Sequence, residues 1–190
     1  MSPESQFTDQ FGQSFKSLPD FLQHGLSILS IGLNPSINSV KAGFYFATPT
    51  NRFWKALNQS ELVSEPISPG LDGHSALLRE FGMGFTDVVK RPTPGASDLR
   101  AADFRYWAPV LEQKLLNLKP RVAWFHGKVA YSRFLKMTGR SDEDIVWGAQ
   151  DLQIGQSKIF VSPNPSAANA AFSLDVLTEA YNELSHYYNE

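Results

Sequence analysis

The chain contains no cysteine. Disulfides and thiolate metal sites are therefore excluded, and the composition fits a cytosolic setting, a cytoplasmic and nucleoid-associated one if the source is bacterial. No stretch approaches the ~20 consecutive apolar residues of a membrane span. The opening "MSPESQFTDQ" has neither a basic n-region nor an apolar h-region, so a secretory signal is not expected. The four histidines, His24, His74, His126 and His186, form no HxH or HxxxH pair, and no metal or other cofactor is expected. Neither sign of charge dominates: 17 lysines and arginines face 19 acids, for a net charge of −2 and a pI near 6.1. That balance argues against a protein that coats nucleic acid non-specifically, but a local basic groove needs only a few side chains.

What is present suits one domain of 190 residues. Residues 1–17 are polar and aperiodic and read as a flexible N-terminal arm before a single domain over 18–190. "PDFLQHG" suggests a helical turn ended by Gly25. Leu26 to Leu33 reads as a buried strand, Asn51 to Gln59 as a helix capped by Asn51, and "HSALLREFG" as another helix. "MGFTDVVKRPTPG" begins as an extended segment. Phe104, Trp107, Leu111, Leu115 and Leu118 recur at helical spacing. "RVAWFHG" and "KVAYSRFLKM" make a strand and a helix, "DLQIGQSKIFVSP" two strands around Gly155, and Ser173 caps a last helix. Trp107 and Trp147 read as core. This alternation predicts an α/β fold with a mostly parallel central sheet flanked by helices on both faces. Ligands of such folds lie beyond the carboxyl ends of the strands.

Two segments at strand ends share an Asn-Pro-Ser: "LNPS", Leu33 to Ser36, and "PNPS", Pro163 to Ser166. Either alone is an ordinary turn; together they can face one crevice. The first continues into "INSVKAGFYFATPTNRFW". Gly32, Asn34 and Pro35, then Gly43, Phe44 and Phe46, then Asn51, Arg52, Phe53 and Trp54 follow in order, with "GFTDVVKRPT", "WGAQDLQIG" and "PNPS" later. This sequence resembles the mismatch-specific branch of the uracil-DNA glycosylase superfamily, over nearly the whole chain from Leu26 onward.

The resemblance implies a monofunctional DNA glycosylase. Such an enzyme flips a base out of the duplex and hydrolyses its N-glycosidic bond through an oxocarbenium-like transition state. Asn34 corresponds to the residue that positions water; an Asn carboxamide orients water but is no base. Phe46 corresponds to the aromatic that stacks on the flipped base, with a core role as the alternative, while Phe44 reads as core. Gly32 opens the same motif. Ser36 stands in place of a Gly, or of the Tyr that blocks C5 substituents, so it leaves room for a larger base. Ser39 matches a small hydroxyl near the base. Asn164 stands where more active relatives have a His that donates to the departing base.

Two departures from the family pattern bear on mechanism. Relatives carry Gly-Leu-Ser-Arg after the second Asn-Pro-Ser, and the Leu wedges into the gap left by the flipped base; here Ala167, Ala168, Asn169 and Ala170 follow. Ala168 is a poor wedge, and Asn169 is the candidate to replace it by hydrogen bonding. Asp87 stands where some relatives have Lys; it is a candidate to activate water, or else it caps a turn or pairs with Lys90. Ser166, Lys41 and Arg91 complete the candidate DNA contacts. The expected partner is double-stranded DNA with a mismatched or damaged base, uracil first, with single-stranded DNA as a further substrate and a monomer as the working unit. Two alternatives stand beside this: a catalytically weak module that binds DNA or abasic sites, and a nucleoside hydrolase using the same crevice.

Overall fold

The computed structural model describes residues 5–8 and 12–189. A five-stranded sheet runs in the order β4-β3-β5-β7-β6, formed by β3 (Ile28–Gly32), β4 (Met83–Asp87), β5 (Val122–His126), β6 (Gly148–Ile154) and β7 (Ser157–Ser162). Four strands are parallel, and β6 pairs antiparallel with β7 around the Gly155 turn. Strands β3, β4 and β5 are buried along their whole length, as parallel strands covered on both faces must be, which is why they read as apolar runs. Helices α1 (Ile37–Ala42), α2 (Phe53–Gln59), α3 (Leu71–Glu80), α4 (Ala101–Leu118), α5 (Lys128–Met137) and α6 (Leu174–Asn189) complete the α/β domain. Helices α4 and α5 contribute to one core layer, and α2, α3 and α6 to the other. None of these helices is long and apolar enough to cross a membrane.

Several segments differ from the expectation. Within the expected arm, β1 (Ser5–Thr8) and β2 (Ser14–Ser17) pair antiparallel, and residues 1–4 and 9–11 lie outside the described residues. The rings of Phe7 and Phe15 lie 5.9 and 6.4 Å from that of Trp107. No helical turn forms before Gly25; instead Phe21 exchanges backbone hydrogen bonds of 3.0 and 2.9 Å with Phe85 and so lies along the edge of β4. The stretch after Asn34 is not all loop: Ser36 caps α1, its Oγ accepting from the Ser39 amide, and Gly43 ends it at φ 79°. Trp147 is not core; it is 43% exposed, because it precedes β6 at the sheet's margin.

The second core layer centres on Phe53, whose ring is surrounded by those of Trp54, Phe85, Trp124 and Tyr181. Phe53 is fully buried, so truncation leaves a cavity among rigid rings that cannot collapse. Phe53→Ala should therefore cost about 3–5 kcal/mol in denaturant unfolding. A loss below 1 kcal/mol would show that this layer repacks freely.

Candidate active site

The carboxyl ends of β3, β4, β5 and β7 open into a cleft of about 480 Å³. Of the residues singled out from sequence, Gly32, Asn34, Ser36, Ser39, Phe46, Asp87, Asn164, Ser166, Ala168 and Asn169 line it. Lys41 lies outside, exposed in the last turn of α1. Arg91 is not a lining residue either: its guanidinium pairs with Asp103 at 2.8 and 2.6 Å and donates to Asp98 O, tying the start of α4 to the segment after β4.

Asn34 sits just past β3. Its Nδ2 donates to Arg91 O at 3.1 Å and to Thr93 Oγ1 at 2.8 Å. A carbonyl can only accept, so this pairing fixes which end of the amide is NH₂ and leaves Oδ1 as an acceptor without a protein donor. Thr93 in turn donates to Gly95 O. Thr93 was missed from sequence, although "RPT" belongs to a recognised block; an Asn that must point one way requires such a partner.

Gly32 and Asp87 are register partners on β3 and β4. A Cβ at Gly32 would run into Asp87 Oδ1, so the glycine makes room for the carboxylate. Asp87 is buried, lines the cleft, and its Oδ2 accepts no hydrogen bond. Lys90 Nζ lies 3.7 Å away. Burial pushes the Asp87 carboxyl up to about 7, against the pull of Lys90. Asp87 thus neighbours Lys90 and also reaches the cleft.

Lys90 is itself buried, 1% exposed, and donates to Asp20 Oδ1 at 2.7 Å and Tyr45 Oη at 3.0 Å. Lys114 and Thr86 also bind Asp20. Burial alone would raise the Asp20 carboxyl, but the two ammonium groups overcome it and hold it at about 2. Burial and the neighbouring Asp87 keep the Tyr45 phenol protonated.

Phe46 adopts φ +58°, a left-handed conformation costing about 1–3 kcal/mol for a bulky residue. Its ring stacks on Phe53 at 4.1 Å and 15°, and it meets His126 edge-on at 5.1 Å. The strained backbone is held by this stack, and the half-buried ring forms part of the cleft wall. Phe44 packs edge-on against Trp54, as core. His126 also lines the cleft; burial pushes its imidazole down to about 3, so it is neutral, with Nε2 2.8 Å from Ser30 Oγ.

Asn164 follows β7. Its Oδ1 accepts from the Ser166 amide at 2.9 Å, and its Nδ2 donates to His126 O at 3.5 Å. Asn169 Nδ2 donates back to Asn164 O. Arg52 organises this loop: its guanidinium donates to the carbonyls of Pro165, Ser166, Asn169 and Phe172. The charge of Arg52 is thereby spent on backbone oxygens. Ala167 and Ala168 are exposed at the rim.

Lys90→Met, which keeps the volume and deletes the charge, should leave Asp87 without its neighbouring cation and Asp20 with Lys114 alone. A loss of about 3–5 kcal/mol in chemical denaturation is expected, and an unchanged midpoint would show that the ammonium is dispensable.

Comparison with known proteins agrees with this architecture. A solution structure of a Methanosarcina acetivorans protein, provisionally described as a uracil DNA glycosylase, superimposes with a TM-score of 0.58 at 22% identity, covering 90% of this chain and 98% of that one. The family profile described as "Uracil DNA glycosylase superfamily" matches residues 19–185. The chain belongs to the uracil DNA glycosylase superfamily, whose members are DNA glycosylases that hydrolyse N-glycosidic bonds.

Proposed function

We propose that this protein excises uracil, and bases with a modest C5 substituent, from mismatched DNA, as the mismatch-specific branch of the superfamily would. The observation that carries this reading is the pairing, in one cleft, of a fixed Asn34 acceptor with the Asp87 carboxylate, alongside the Phe46 ring and the Asn164 amide. The flipped base stacks on Phe46, and Ser36 leaves space beside its C5 edge. Asn34 Oδ1 and the ionised Asp87 carboxylate each accept from one water, turning its lone pair toward the sugar carbon. As the glycosidic bond breaks, its electrons leave with the base, and Asn164 Nδ2 donates to the base oxygen that gains charge. The water adds to the oxocarbenium carbon and passes its proton to Asp87. Neither Asn164 nor neutral His126 brings a positive charge to the leaving base, so turnover is slow. The reading requires one copy of the chain, no metal and no cofactor, and places the protein where the DNA is.

A second reading, a DNA or abasic-site binder with little catalysis, is favoured by the same uncharged donors and by the alanines at the rim. Single-turnover base release from duplexes with uracil opposite guanine, uracil opposite adenine, and single-stranded uracil separates the two. Asp87 as base must be ionised, so the rate should climb about tenfold per unit below pH 7 and level off above it. Asp87→Asn should flatten that profile and slow release; Asn34→Ala should slow it at every pH. The stability sign is opposite: a raised carboxyl favours folding while protonated, so Asp87's contribution declines as pH rises from about 4 to about 7. DNA binding without release from any substrate would leave the second reading standing.

A further inference from the structure

Trp147 lies beside the cleft loop and has no part in the chemistry above. Of the four tryptophans, Trp54, Trp107 and Trp124 are 4%, 7% and 0% exposed, while Trp147 is 43% exposed. This exposed indole is held in place by its neighbours. Lys128 Nζ sits 4.9 Å over its ring and donates to Ile145 O at 2.7 Å, which anchors the segment before β6. Phe172 meets it edge-on, with ring centroids 5.2 Å apart.

Phe172 connects this ledge to the cleft. Its amide donates to Asn169 O, and its own carbonyl accepts from Arg52, which also holds the carbonyls of Ser166 and Asn169. Rim and ledge therefore form one rigid unit. The exposed residues of the rim, Ala167, Ala168 and Ala170, carry only methyl groups, and the half-buried Asn169 amide is turned back onto Asn164 O. A duplex with one nucleotide flipped out leaves the opposite base without its partner, and methyl groups cannot fill the space between its neighbours. That base is the one most easily drawn from the stack. A fixed, exposed indole continuous with the rim offers it a new stacking face.

We propose that Trp147, buttressed by Phe172 and Lys128, is a second base-binding site, which stacks the estranged base opposite the flipped nucleotide. The ledge holds open a gap that the rim cannot plug, and it is tolerant of base identity because every base has a π face. This rests on the DNA reading above.

The test is a two-by-two cycle on the whole protein. One duplex carries a tetrahydrofuran abasic analogue opposite guanine; the other carries the analogue at both positions, so that no estranged base exists. Because the other tryptophans are buried, quenching of indole emission reports on Trp147. Wild type should show quenching and about tenfold tighter binding with the guanine duplex than with the doubly abasic one. Trp147→Ala should bind both equally, and Trp147→Phe should keep most of the difference. Equal loss on both duplexes, or no loss in Trp147→Ala, would overturn the estranged-base site and leave the glycosylase reading intact. Failure of wild type to bind either duplex would sink both.

Discussion

A single buried ammonium, that of Lys90, governs the floor of the cleft. Desolvating such a charge is costly unless anions and acceptors surround it. Asp20 supplies the anion, Tyr45 the phenolic acceptor, and the second carboxylate, Asp87, stands 3.7 Å away. Meeting that demand draws three segments together: the lead-in to β3, the aromatic loop after α1, and the end of β4. The position of Tyr45 fixes where Phe46 begins, and so where that ring enters the cleft wall. The same ammonium moderates the charge on Asp87, which burial would otherwise suppress further.

Above this charged floor the cleft wall is neutral. His126 is starved of solvent and stays a neutral imidazole, and Asn164 spends its oxygen on a turn while its nitrogen donates to His126 O. Charge lies with Lys90, Asp20 and Asp87, and the uncharged groups of His126 and Asn164 line the same cleft. The Arg52 guanidinium, which could have brought positive charge to the rim, instead gives the 163–172 loop its shape by binding four backbone oxygens.

Much of this was legible in the sequence, and for physical reasons. Buried parallel strands are apolar runs, so β3 and β5 could be read within two or three residues of their ends. The two Asn-Pro-Ser turns come together because both follow parallel strands at the same edge. What could not be read depended on long-range pairing. Thr93 has no meaning until Asn34 needs a fixed orientation, and the ion pair of Arg91 has no signal until Asp103 is found beside it. The α1 helix was missed because its six residues, "INSVKA", carry little apolar periodicity, although Ser36 and Gly43 mark its ends. Trp147 was misjudged because a large aromatic is usually core, and only its place before the edge strand exposes it. The β1–β2 pair was hidden for the converse reason: Phe7 and Phe15 are isolated in a polar stretch and find an aromatic partner in Trp107, nearly a hundred residues later.

The way the sheet ends also bears on how the protein survives at high concentration. An open sheet exposes two rows of unpaired backbone groups, each a template for joining another molecule. Here Phe21 lies across β4 on one side. On the other, β6 loses register between Gln150 and Gln153 and turns Asp151 and Gln153 to solvent. Neither margin offers a long, straight, apolar strand. The molecule is thereby guarded against edge-to-edge polymerisation, and it can keep an open, partly apolar cleft without inviting its own copies to add to the sheet.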